Sequence, residues 1–312
     1  MIPLLLEAAP RTALWGGNRL HDRYRKPDLP HLAETWELSA RGERPCLIIN
    51  EPFAGMPFDR YLTEIEHSNL PFPLLIKFID AAQPLSVQVH PDDACAAMFG
   101  ESGKTELWHI IEAEPGARLI LGLRDGVDRG TFAAALQRGD PTPLLREVEV
   151  HAGESYFIPA GLLHAIGTPS HAGILLAEIQ QNSDSTYRTW DYGRMDTNGA
   201  QRQLHTAEAN RALHLYTPEE VEALRFSRRD RCTLAGECIC ACDQFSVSLF
   251  RGERGFKVEE SFLSLLCLRG EGILSASGTE LTFSAGQSIY LPPHIGICQL
   301  HGNAEFLLSA PS

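Results

Sequence analysis

The sequence predicts a mainly β protein: two barrels of jelly-roll type with a few helical inserts, the C-terminal barrel being degenerate. Three observations predict it. Short runs rich in Val, Ile, Leu and Phe recur along the 312 residues, separated by Gly or Pro turns. Helical periodicity is confined to a few short stretches. The frame Gly-x-Ser-x-x-x-Pro occurs twice, from Gly153 to Pro159 and from Gly286 to Pro292, each time late in a succession of strand-like runs. In each copy Gly turns the chain, a strand follows and Pro ends it.

The expected strands cover 46–50, 73–80, 84–90, 105–111, 117–122, 146–150, 154–159, 173–179, 244–250, 262–268, 271–276, 287–292 and 296–300. Helices are expected over 57–68, where Phe58, Tyr61, Leu62 and Ile65 share a face, and over 128–137 behind Asp128. Thr217-Pro218-Glu219-Glu220 is a capping box with Pro at the first helical position, so a helix should run to about Leu224. The boundary between barrels is expected near residue 226, giving one domain over 1–226 and a second, smaller barrel over 227–312.

Composition narrows the function. With 44% hydrophobic and 21% charged residues the chain is of ordinary globular type. A formal charge of -13 argues against nucleic acid and anionic membrane as partners, though a local Lys/Arg cluster could still bind a small anion. No basic leader segment precedes an apolar run, and no run reaches the roughly 18 apolar residues that a membrane helix needs. The eight cysteines include no C-x-x-C pair, and Cys238, Cys240 and Cys242 alternate as thiols packed along one strand face would. A reduced, cytoplasmic protein is the expectation.

Leu85-Ser86-Val87-Gln88-Val89-His90-Pro91 is the most informative stretch. The strand period puts Ser86, Gln88 and His90 on one face and Val87 and Val89 on the other. Polar side chains on the inner face imply a polar cavity inside a barrel. Lys104, Glu106 and Trp108 share a second face, with Leu107 opposite. The first repeated frame continues as Pro159-Ala160-Gly161-Leu162-Leu163-His164, and Gly-x5-Pro-x-Gly-x2-His is the second signature of the cupin barrels. Its tight turn aims His164 back into the barrel. Two imidazoles, a carboxylate and an amide oxygen, from His90, His164, Glu106 and Gln88, make a site for a divalent ion with a position left for water or substrate. In the second copy the position of His164 is taken by Ile297, so that barrel should hold no metal.

The segment from Glu178 to Arg194 leaves the His164 turn and can lie across the same mouth. Arg188 and Arg194, with Lys77 and Lys104, could focus positive charge on an anionic ligand. The plainer alternative is a loop in which Asp184 and Asp191 pair with the arginines.

These residues together resemble type I mannose-6-phosphate isomerase, short bacterial form, a zinc-dependent cupin. The resemblance rests on Trp15-Gly16-Gly17, Glu34-Thr35-Trp36-Glu37-Leu38-Ser39, Lys77, Gln83 to Pro91, Lys104-Thr105-Glu106, His164 and the Glu178–Arg194 block. It implies one Zn²⁺ per chain held by Gln88, His90, Glu106 and His164. It also implies a sugar-phosphate pocket including Ser86, Lys77, Lys104, Glu178, Asp184, Arg188 and Arg194, with Arg188 closest to turnover. The expected reaction interconverts mannose 6-phosphate and fructose 6-phosphate through a cis-enediol, with a base of pKa near 7 moving the proton. Lys77, Lys104, Glu178 and Asp184 are the candidate bases. Two departures stand out: only 57 residues separate Glu106 from His164, so a helical insert of longer members is absent, and Gly103 replaces a His those members can carry. A cupin oxygenase using Fe²⁺ and a non-catalytic sugar-phosphate sensor are the alternatives. Oligomeric state is not legible in the sequence.

Overall fold

A computed structural model describes residues 1–195, 199–225 and 234–312. It is mainly β, and its chain divides into two compact units. One comprises Thr12–Gly17 and Ile79–Phe226; the other comprises Met1–Arg11, Asn18–Phe78 and Ser227–Ser312. The division differs from a simple cut of 1–226 against 227–312, and the cut point itself lies outside the described residues. The physical reason is strand exchange along the sequence. Leu4–Glu7 pairs antiparallel with Ser288–Leu291, in the register Leu4 opposite Tyr290 and Leu6 opposite Ser288. The first strand of the chain thereby completes a sheet whose other strands come mostly from its end.

That C-terminal sheet is dominated by two long strands, Leu263–Ala276 and Gly296–Pro311, paired from Ser264–Ser309 to Ala276–Cys298. The sequence suggested separate strands at 262–268 and 271–276. Instead Arg269-Gly270-Glu271-Gly272 continues the ladder through a bulge beside Cys267. Leu265, Cys267, Leu274, Phe283, Ile289, Phe306 and Leu308 fill the core of this unit. A second bulge, between Cys238 and Cys240, breaks the expected alternation of the thiols; Cys240 is buried, while Cys238 and Cys242 are half-buried. The seven described cysteines are free thiols, and Cys232 lies outside the described residues.

The other unit carries the site on two sheets. In one run, Ser155–Ile158, Glu106–Ala113 and Ile174–Gln181 are neighbours; in the other, the order is Tyr187–Trp190, Val87–Val89, His164–Ile166, Arg118–Leu123, Leu145–Glu149. Val87 and Val89 are fully buried on the face away from the polar row, as the period of two requires. The three expected helices are present, and Arg19–Tyr24, Asp93–Ala97 and Thr206–Ala212 are short helices that the sequence reading did not place. Asp128 accepts a hydrogen bond from the Thr131 N–H ahead of Arg129–Arg138, and Gly139 closes that helix at φ 86°. Thr217 and Glu220 form the reciprocal capping box before Pro218–Ala223. Among the described residues no helix is long and apolar enough to cross a membrane.

The repeated frame is a structural repeat up to its proline. Gly153 and Gly286 both adopt positive φ, 90° and 86°, and each starts a four-residue strand, Ser155–Ile158 or Ser288–Leu291. Beyond the proline the copies part: His164 is buried, whereas Ile297 is 66% exposed.

Candidate metal centre

Each inward side chain is placed by strand register. His164 stands directly opposite Gln88, and Arg188 is opposite Gln88 on the other side, so the three form a row across one sheet. On the other sheet Gln180 faces Glu106 and Glu178 faces Trp108. His90 follows the strand Val87–Val89, ahead of Pro91, whose ring disfavours helical angles at His90. The Gly161 turn that delivers His164 has φ 88°, and a Cβ there would meet the His214 ring at 2.6 Å, so only glycine fits.

These elements bring His90, Glu106 and His164 together, with one ligand atom of each within 4.8 Å of the others. His90 Nε2 lies 3.2 Å from Glu106 Oε1 and His164 Nε2 lies 3.9 Å from Glu106 Oε2. The tautomers are set from behind. His90 Nδ1 donates to the Ser185 carbonyl at 2.6 Å and His164 Nδ1 donates to the Leu162 carbonyl at 2.9 Å. With Nδ1–H committed outward, each Nε2 turns its lone pair inward, as a metal ligand must. Sequence reasoning missed both carbonyls, since a backbone oxygen has no residue-type signature.

The donor set fits a divalent cation. Both Glu106 oxygens are buried and accept no hydrogen bond of normal direction, although Lys104 Nζ stands 2.7 Å from Oε1. A buried carboxylate with unsaturated oxygens facing two imidazole lone pairs is the arrangement that an oxygen- and nitrogen-liganded cation would satisfy. Gln88 has its Nε2 3.4 Å from His164 Nε2 and its Oε1 3.4 Å from Ser86 Oγ. Turning the amide by 180° presents the oxygen to the cation and lets Nε2 donate to the Ser86 hydroxyl, which can accept as well as donate.

Electrostatics favour the ligand forms. Burial pushes the His90 imidazole down to about 4, Lys104 adds to this, and Glu106 opposes it. His164 is lowered as well, chiefly by burial. Glu106 is held well below the usual carboxylate range because Lys104, His90 and His164 outweigh its burial. The sign for stability follows. The unfolded chain takes up protons on these histidines near pH 6.5, while the native state resists until about 4 at His90. Metal-free protein should therefore lose stability as pH falls from about 6.5 towards 4, at ~1.4 kcal/mol per pH unit for His90 alone. Melting temperature against pH, wild type beside His90→Gln, checks it; equal pH slopes for the two proteins would contradict the origin given.

The remaining expected site residues take distinct places. Ser86 is buried and accepts from Arg188 Nε at 3.2 Å, and Arg188 also donates through a terminal nitrogen to the Gln203 carbonyl at 2.9 Å. Glu178 is buried and accepts from the Trp108 indole N–H at 2.9 Å. Asp184 is exposed, one residue before the carbonyl that holds His90. Arg194 is ion-paired with buried Asp191 and donates to the Pro84 carbonyl at 2.6 Å, so it ties its loop to the residues ahead of Ser86. Arg202 adds a second ion pair to Asp191 at 3.4 Å. Lys77 belongs to the other unit, where it is buried with Nζ 4.0 Å from Glu34 and over the Trp36 ring. At Gly103 a Cβ would meet Asp93 Oδ1 at 2.5 Å and its backbone nitrogen at 2.7 Å, so this position admits no side chain.

The chain resembles known proteins along nearly its whole length. Residues 4–108 match the family model of the phosphomannose isomerase type I catalytic domain, and residues 237–311 match that of the mannose-6-phosphate isomerase cupin domain. Mannose-6-phosphate isomerase ManA of Bacillus subtilis is 31% identical, the alignment covering 98% of both chains. The mannose-6-phosphate isomerase of Streptococcus mutans is 32% identical with the same coverage. The crystal structure of the Bacillus subtilis mannose 6-phosphate isomerase superposes with a TM-score of 0.88 at 30% identity over 99% of both chains. A zinc-bound mannose 6-phosphate isomerase shares the fold at 16% identity, TM-score 0.74, over 99% of both chains. With the His–Glu–His centre inside a cupin barrel and relatives matching end to end, this chain belongs to the mannose-6-phosphate isomerase family.

Proposed function

We infer that this protein is a metal-dependent aldose–ketose isomerase that interconverts mannose 6-phosphate and fructose 6-phosphate, using one Zn²⁺ per chain. The observation that carries the reading is the convergence of His90, Glu106 and His164 within 4.8 Å, in a chain whose full-length relatives are named for that reaction. Zinc suits two imidazole nitrogens and a carboxylate, and the zinc-bound relative supports the choice. Gln88 completes the set once its amide oxygen is turned inward.

When bound, the ion supplies Lewis-acid stabilisation to negative charge developing on the sugar oxygens. The protein's own groups do the rest. Lys104, 2.7 Å from Glu106, puts a cationic donor beside the ligands. Arg188, braced by Ser86 and Gln203, supplies a fixed guanidinium for the enediolate. Glu178 accepts a sugar hydroxyl, and Arg194 acts on the substrate pocket by fixing the Pro84–Ser86 approach. The proton moves between C1 and C2 on a side-chain base, with Asp184 and a deprotonated Lys104 the groups this unit offers. The anionic 6-phosphate is drawn by the cationic residues of a chain that is otherwise acidic.

The test is an isomerisation assay on purified protein with mannose 6-phosphate. Turnover should vanish on exhaustive chelation and return with one equivalent of Zn²⁺. Full activity in protein shown by elemental analysis to be metal-free would reject the reading. Oxygen uptake with a phosphate-free substrate would favour the oxygenase alternative instead.

A further inference from the structure

We propose that Trp108 is a positioning residue for the reaction, acting by holding the Glu178 carboxylate through its indole N–H. The proposal rests on the isomerase reading above and extends it to a residue with no direct part in metal ligation.

The placement is specific. Trp108 is two residues beyond Glu106 on the same strand face and directly opposite Glu178 in the ladder. Its side chain is 1% exposed, and Nε1 donates to Glu178 Oε2 at 2.9 Å. The ring stands edge-on to His164, centroids 5.4 Å apart at 80°. One indole therefore touches both a metal-ligand imidazole and the carboxylate beside it. Packing alone could be met by any large apolar side chain. A buried tryptophan, by contrast, carries an N–H that must find an acceptor, and here the acceptor is a buried carboxylate.

The chemistry of that donor matters. An indole N–H only donates; it cannot accept, and it does not exchange roles with a substrate hydroxyl. Tying up Oε2 in this way restricts rotation of the carboxylate, so its plane is set by the strand that carries Trp108. Because the strand that carries Trp108 also carries Glu106, the same backbone sets the carboxylate and the metal ligand at a fixed spacing. Substrate aligned on the metal side is thereby aligned on Glu178 as well, and misplacement by about 1 Å is expensive in rate.

The experiment is a double-mutant cycle on zinc-loaded protein with mannose 6-phosphate: wild type, Trp108→Phe, Glu178→Ala and the double variant. Zinc affinity is measured in parallel by chelator competition. Phenylalanine keeps a ring against His164 and removes only the donor. Trp108→Phe should lower kcat/KM ~10- to 30-fold, the scale of one hydrogen bond to a charged group. Zinc affinity should stay within about twofold, and the double variant should be no worse than Glu178→Ala alone within about twofold. Should Trp108→Phe fail to fold, benzothienylalanine placed at position 108, with sulfur for the N–H in the same shape, should give the same loss. Losses that multiply independently, a kcat/KM unchanged within twofold, or a tenfold loss of zinc affinity would each overturn the proposal. Wild-type protein inactive on this sugar phosphate would refute the isomerase reading itself, which separates the two failures.

Discussion

His164→Ala should leave a folded protein that no longer retains zinc through gel filtration and whose turnover falls about 1000-fold or more. The residue supplies one of three ligand atoms gathered within 4.8 Å, and its ring is fully buried between Gln88 and Trp108. Losing it removes a ligand and opens a void that water can fill, so only Glu106, His90 and the Gln88 amide are left to face the cation. Several kcal/mol of transition-state stabilisation depend on that cation, which sets the size of the effect. The melting temperature should fall by only a few degrees, because a buried, desolvated imidazole costs free energy of its own when no metal is bound. Elemental analysis decides the matter: a variant that keeps stoichiometric zinc and full turnover would remove His164 from the centre.

Arg188→Ala should show the opposite division, with zinc retained and kcat reduced by about 100- to 1000-fold, the range for deleting a fixed donor to developing negative charge. The guanidinium is half-buried, anchored through Nε to Ser86 and through a terminal nitrogen to the Gln203 carbonyl, while its backbone N–H donates to His205 Nδ1 at 3.2 Å. Its side chain shares a sheet face with Gln88 and His164 without being one of the ligands. Arg188→Lys should recover little, since an ammonium cannot reproduce a planar fork held at two points. Zinc content and kcat measured on the same preparation give the result. Wild-type kcat in Arg188→Ala would show that the arginine serves its loop alone.

The two variants test a ligand role against a charge-stabilising one, roles that the sequence reading assigned to different residues. His90, Glu106 and His164 were legible because strand parity and the cupin frame fix which face each side chain takes, and a period of two leaves no intermediate direction. The helix ends at Asp128 and Thr217 were legible for a similar reason: a cap is a local hydrogen bond within four residues. Arg194 was harder. Grouped by charge with Arg188, it is engaged by Asp191 and the Pro84 carbonyl, and Pro84 is distant in sequence. Lys77 likewise meets Glu34 and Trp36, neighbours that only a sheet could supply.

The sequence by itself determined the class of fold, the repeated turn-strand frame and the strand faces of the candidate ligands, because each is written in a local period or a short spacing. The tertiary structure alone decided three things. It assigned Leu4–Glu7 to the C-terminal sheet, it chose the imidazole tautomers through the Ser185 and Leu162 carbonyls, and it set Trp108 against both Glu178 and His164. Two of these are pairings between residues far apart in the chain, and the third depends on backbone oxygens, which every residue has. Long-range register and backbone acceptors leave no mark on residue identity, so folding must be complete before they exist.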